Sequence, residues 1–196
     1  MAVESRPSLA TYVRAVKLEN KVLSYSGSGW TSQDECLPKV LQAIGQLNRI
    51  EHLSLEYIAN ISIQVVPEPV QGALQSISRS ASLHSISLRW CPTSVLALCG
   101  PSVVRLELEG VKPVDDQHNG STDDGLLKPQ YTSIQSQGRP QIAAYMLHPG
   151  RFDFRNLGEL CVSAEMATEN RDLATIALWW PRALLPCRLW HIHCHG

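Results

Sequence analysis

Phenylalanine occurs only twice in these 196 residues, and charged residues make up just 18% of them. With 44% of the chain apolar, so thin a charge density excludes a tail kept unfolded by self-repulsion and leaves enough material for one ordinary core. Neither sign of charge is in excess: 17 basic against 18 acidic residues give a formal net charge of −1. A duplex-binding surface needs a basic excess, so no nucleic-acid partner is expected. No long hydrophobic run is present either. The longest, LATIALWW at 173–180, is far short of the ~20 residues that cross a bilayer, so no membrane partner is expected. The first residues, MAVESRPSLATYVRA, place Glu4 and Pro7 where an export signal would carry an apolar run. That makes the expected location intracellular, cytoplasmic or nuclear. Six cysteines without a C-x-x-C pair then read as reduced thiols, and the acceptor patterns at Asn60 and Asn119 carry no consequence.

Leucine, by contrast, is plentiful, and its placement repeats. Val13, Val16 and Leu18 stand three and then two apart. The same spacing returns at Ile50, Leu53 and Leu55, at Leu83, Ile86 and Leu88, at Val103, Leu106 and Leu108, and more weakly at Leu157, Leu160 and Val162. The last two apolar positions of each set alternate with polar ones, the period of a half-buried strand. The third set reads L-x-x-I-x-L-x-x-C and ends at Cys91, close to a leucine-rich-repeat signature.

Helical spacing fills the gaps between these sets. Asp34 is placed to cap a helix carrying Leu37, Val40, Leu41, Ile44 and Leu47, with Gly45 weakening its last turn. Val70, Ala73, Leu74 and Ile77 repeat the arrangement after Pro67 and Pro69, and Pro92 opens a shorter piece over Val95–Leu98 that Gly100-Pro101 ends. Strands that return parallel through helices bury their apolar faces against neighbouring copies, so the expected fold is α/β: a short, irregular leucine-rich-repeat solenoid. The period is uneven. The sets end at Leu18, Leu55, Leu88, Leu108 and Val162, so the step shortens at Leu108 and is then longest across the polar stretch VDDQHNGSTDDG. A small doubly wound sheet also alternates strand and helix and stays open as an alternative.

YVRAVKL, the block LPKVLQAIGQLNRIEHLSLE, ALQSISRSASLHSISLRW and LALCGPSVVRLELEGV together resemble the leucine-rich-repeat region of fungal F-box-like proteins of the mushroom type, over about half of the chain. The resemblance implies the substrate-recognition module of a ubiquitin ligase, in which repeats hold the target while an F-box docks a Skp-type adaptor. An F-box would lie before the repeats, and residues 1–11 do not supply it. Adaptor binding is therefore expected only if an F-box is present elsewhere in the gene, and the chain reads as a fragment or truncated product. The organisation is an N-terminal extension at 1–11, a repeat domain at 12–164 with a polar insertion at about 112–140, and a C-terminal segment at 165–196 whose tryptophans and closing WHIHCHG break from the repeat composition.

Chemistry-bearing residues are few. His191, His193, Cys194 and His195, with Cys187, are zinc-ligand types, but their gaps match no familiar structural finger. The acidic stretch 115–125 places Gln117 and Leu126 where a calcium loop needs acidic ligands, and Gly27-Ser28-Gly29 lacks the rest of a phosphate loop. There is no G-x-S-x-G, no H-E-x-x-H and no local cysteine-protease signature; His52 and His84 fall in equivalent strand regions without a placed acid. Cys91, Cys99 and Cys161 read as small core hydrophobes. No enzyme, cofactor or metal is expected, with a small α/β enzyme or a metal-binding protein using the His/Cys tail as the alternative.

A protein-binding face follows from the strands. Residues flanking the inward apolar positions share the opposite, concave face. They are Ala15, Lys17 and Glu19; His52, Ser54 and Glu56; Ser85, Ser87 and Arg89; and Arg105, Glu107 and Glu109. Stacking predicts one row of Glu19, Glu56, Arg89 and Glu109 beside another of Lys17, Ser54, Ser87 and Glu107. The expectation is a mostly acidic strip that contacts a protein partner of basic character.

Overall fold

The computed structural model describes residues 11–19, 35–56, 66–111, 127–136, 152–153, 156–165 and 189–195. Its elements run β1 (Ala15–Glu19), α1 (Cys36–Gly45), β2 (His52–Glu56), α2 (Glu68–Ser78), β3 (Ser85–Arg89), a 3-10 helix (Thr93–Leu98), β4 (Arg105–Glu109), β5 (Tyr131–Ser136), β6 (Glu159–Glu165) and β7 (Leu189–His195). The seven strands form one sheet, every neighbouring pair is parallel, and strand order follows chain order. An order without reversal has no switch point, which excludes the doubly wound alternative. The fold is α/β, with a parallel sheet whose first strands alternate with helices.

The register explains the spacing in the sequence. Leu18, Leu55, Leu88, Leu108, Ile134, Val162 and Ile192 align in one column, and Val16, Leu53, Ile86, Leu106, Thr132, Leu160 and Trp190 in a second. From Leu53 to Leu108 these column residues are 3% exposed or less. They share one core with Leu41 and Ile44 of α1, with Val70, Ala73, Leu74 and Ile77 of α2, and with Val95 and Leu96 of the 3-10 helix. The residues three before the second column, Ile50, Leu83, Val103 and Leu157, are buried beside them. One backbone device recurs at the start of each strand from β2 to β6: two successive N–H groups donate to a single carbonyl of the preceding strand's approach. Glu51 and His52 donate to Arg14, His84 and Ser85 to Glu51, Val104 and Arg105 to His84, Gln130 and Tyr131 to Val104, and Gly158 and Glu159 to Gln130, at 2.7–3.2 Å.

The helices lie close to where their apolar spacing puts them, with local differences. Asp34 falls outside the described residues, and Glu35 stands at the helix start without a side-chain cap. Leu47 lies past the end of α1 and is 37% exposed, because the chain turns after Gly45 and Asn48 takes a left-handed conformation (φ 48°) that asparagine tolerates. α2 comes close to α1 at Gly45: a Cβ there would sit 3.1 Å from Cγ1 of Ile77.

Of the stretch at 112–140, residues 127–136 are described and include β5, in register between β4 and β6. Of the C-terminal segment at 165–196, Leu189–His195 form β7, which pairs with β6. Residues 1–10, the stretch 115–125, Asn60, Asn119, Gly27-Ser28-Gly29, Cys187 and the run at 173–180 lie outside the described residues. No helix among the described residues is long and apolar enough to cross a membrane.

Candidate binding face

All-parallel sheets are ordinarily covered by helices on both faces, and their strands are then apolar throughout. Here the strands alternate, so the side of the sheet away from the core is polar and carries every candidate residue. The register forms both expected rows: Glu19, Glu56, Arg89 and Glu109 align, as do Lys17, Ser54, Ser87 and Glu107. Gln135 and Ser133 extend the two rows onto β5. A third row consists of Ala15, His52, Ser85, Arg105 and Tyr131.

The charges on this face are spent on one another. Lys17 Nζ lies 3.4 Å from Glu19 Oε2 and 2.8 Å from Glu56 Oε2, while Arg89 reaches Glu56 Oε1 at 3.3 Å and Glu109 Oε2 at 2.6 Å. The sign alternates Glu19, Lys17, Glu56, Arg89, Glu109 across β1 to β4. On β4 the Arg105 guanidinium pairs with Glu107 at 2.9 Å, and it lies 4.0 Å from the centre of the Tyr131 ring on β5. Three cations therefore face four carboxylates: the strip is mixed and acidic by one charge, with these groups paired to one another.

Glu56 is the hinge of this ladder, as it accepts from both β1 and β3. Only 6% of it is exposed, because the Lys17 and Arg89 side chains lie over it at the sheet surface. The hydrogen bond from Lys17, reinforced by the one from Arg89, holds its carboxyl below the usual 4.5, and the same contact raises the Lys17 ammonium above 10.5. Glu56 and Ser85 are both buried, so neither presents itself to a partner. Lys17, Glu19, His52, Arg89 and Arg105 are exposed, and Ser54, Ser87, Glu107 and Glu109 are half-buried.

The remaining expectations sort by burial. Cys91 and Cys99 are core thiols; Cys91 donates to the Leu55 carbonyl at 3.2 Å, and burial pushes the Cys99 thiol up to about 12. Cys161 is corrected: it is half-exposed and extends the Ser133 row of the polar face. His52 and His84 are not equivalent, since His52 aligns with Ser85 and His84 stands one position earlier. On the helical side, an open groove of about 730 Å³ lies between α1 and α2, lined by Glu35, Lys39, Gln42, Gln46 and Ser76 among others. Among the residues whose side chains are described, no three His, Cys, Asp or Glu gather as metal ligands.

No known family, curated protein or solved structure matches this chain.

Proposed function

We propose that the chain is a non-catalytic protein-binding module of the leucine-rich-repeat kind, similar to the substrate-recognition part of F-box ubiquitin-ligase receptors. The observation that supports this reading is the polar face of an all-parallel sheet, on which Lys17, His52, Arg89 and Arg105 are exposed, built from strand units of unequal length that enter β2 to β6 by the same paired N–H contact. Repetition of one strand-forming unit produces an extended ordered surface, which suits a protein partner better than a small molecule. A Skp-type adaptor belongs to the reading only where an F-box is encoded elsewhere in the gene.

Charge reversal at Glu56 is a poor test, because a lysine there would lie between Lys17 and Arg89 and unsettle the sheet. Ser54→Arg with Ser87→Arg is the better perturbation. Both serines lie mid-face in the row beside the ladder, and neither contributes to an ion pair. Affinity capture from cells that make the protein should enrich a specific partner with the wild type and lose it with the double variant. Equal enrichment by both would remove the face from the reading. A parallel capture of the Skp adaptor, by this chain and by the gene product extended upstream, tests the ligase connection. Binding by the extended form alone supports it, and binding by neither drops it.

A further inference from the structure

We propose that Trp90 is the aromatic anchor of the binding face, fixed at the end of β3 to take an apolar side chain from an uncharged segment of a protein partner. The proposal rests on the protein-binding reading and adds a contact residue to it. Trp90 follows Arg89, the last residue of β3, and its N–H donates to the Glu109 carbonyl of β4 at 2.8 Å. It therefore stands one position beyond the row of Glu56, Arg89 and Glu109. Its backbone is left-handed, with φ 56°. That region is cheap for glycine and tolerable for asparagine, but a bulky side chain there is a genuine outlier.

The next unit shows what the turn needs. Gly110 stands one position beyond Glu109, as Trp90 stands one beyond Arg89, and it takes the same conformation at φ 58°. The same exit from the strand is thus made by glycine in one unit and by tryptophan in the other. Backbone strain of this kind persists only where the surroundings hold it, and it gathers at functional sites. Gly110 is part of what holds it: its missing side chain leaves room for the indole, whose Cε3 would lie 2.7 Å from a Cβ there. What the ring gains in return is not core packing. Trp90 is half-buried, and among the described residues neither the core nor the half-buried side chains packed against it include it.

A ring seated on a neighbouring backbone loses little freedom when a partner meets it, and tryptophan is for that reason common among interface hot spots. Its charged neighbours decide what it meets. Arg89 is already bonded to Glu56 at 3.3 Å and to Glu109 at 2.6 Å, so a charged partner group would have to exchange with an existing pair. An apolar side chain meets the indole without that exchange.

A phage-displayed library of random peptides, panned against the full chain, provides the probe. Enriched peptides should be uncharged around a shared apolar residue, and added salt should leave their binding unchanged. Trp90→Gly should weaken them by about 30-fold or more, the scale of an interface hot spot, and Trp90→Asn should do the same. Both replacements suit a left-handed backbone, so neither should lower the urea midpoint. Ser54→Arg with Ser87→Arg should also weaken the peptides. Peptides lost by the arginine variant but kept by Trp90→Gly would overturn the anchor and leave the face standing, whereas indifference to both would remove the two together. Enrichment of basic, salt-sensitive peptides, or of none, would also overturn the proposal. So would a fall in the urea midpoint of both Trp90 variants, which would give the ring a structural role.

Discussion

Thr132 is the one polar residue among the described members of the two apolar columns, and replacing it with valine should stabilise the protein. It is fully buried, it is registered between Leu106 and Leu160, and its hydroxyl has no hydrogen-bond partner among the described residues. An unsatisfied buried hydroxyl costs about 1–3 kcal/mol, and valine keeps the same branched shape without it. Allowing for imperfect repacking of the added methyl, Thr132→Val should gain about 1–2 kcal/mol. For a chain of this size that is a rise of roughly 2–8 °C in melting temperature. Thr132→Ser keeps the orphan hydroxyl and deletes a methyl, so it should lose about 1 kcal/mol or somewhat more for the cavity left behind. Urea denaturation of the three proteins, with m-values compared to exclude a change in the unfolded state, measures both effects. A destabilised valine variant beside a near-neutral serine variant would refute the reasoning, because that pattern belongs to a hydroxyl that is bonded in the folded protein.

Other outcomes follow from the same structure. Glu56 has a depressed carboxyl pKa, so its contribution is fully present above the unfolded value near 4.5 and is lost as pH falls through the lower folded value; Glu56→Gln should flatten the stability-versus-pH profile in that acid range, measured by urea melts. Gly110→Ala should cost about 2 kcal/mol or more by thermal denaturation, since Gly110 has φ +58° and a Cβ there would lie 2.7 Å from the Trp90 ring. Cys99, with its thiol pushed up to about 12 by burial, should resist alkylation at pH 8 in the native protein and react once urea is added, read by mass spectrometry of its tryptic peptide.

The first four strands were legible because each carries an aliphatic residue at all three repeat positions, and the register placed their flanking residues in the rows the alternation demanded. β5 escaped notice for a specific reason. Its equivalent positions are Pro129, Thr132 and Ile134, so two of the three apolar signals are missing from a strand that pairs through its backbone. β7 was hidden differently: Cys187, Trp190 and Ile192 keep the spacing, but the interleaved histidines suggested metal chemistry or a foreign tail before they suggested an alternating strand. With both strands included, Ile134 divides the long interval from Leu108 to Val162 almost evenly, and a step of similar length leads on to Ile192. The ion-pair ladder was less legible than the rows that hold it. Sequence spacing tells which charges share a face; which of them meet depends on side-chain reach across strands, and Glu56 meets both of its neighbours.

That pairing changes what the face can recognise. A row counted as acidic attracts basic partners over a distance, but carboxylates already bonded to Lys17, Arg89 and Arg105 project little field beyond the sheet. An incoming lysine or arginine would have to displace an existing cation from Glu56 or Glu109, exchanging one pair for another with little net gain. Among the described groups free to add new bonds are the hydroxyls of Ser54 and Ser87 and the ring of His52, which stand between and beside the paired charges. If the face binds a partner as proposed, its selectivity should come from close hydrogen-bond fit to an uncharged stretch of that partner. The ladder itself ties β1 to β4 together, with Glu56 bonded to both β1 and β3 and Arg89 to both β2 and β4.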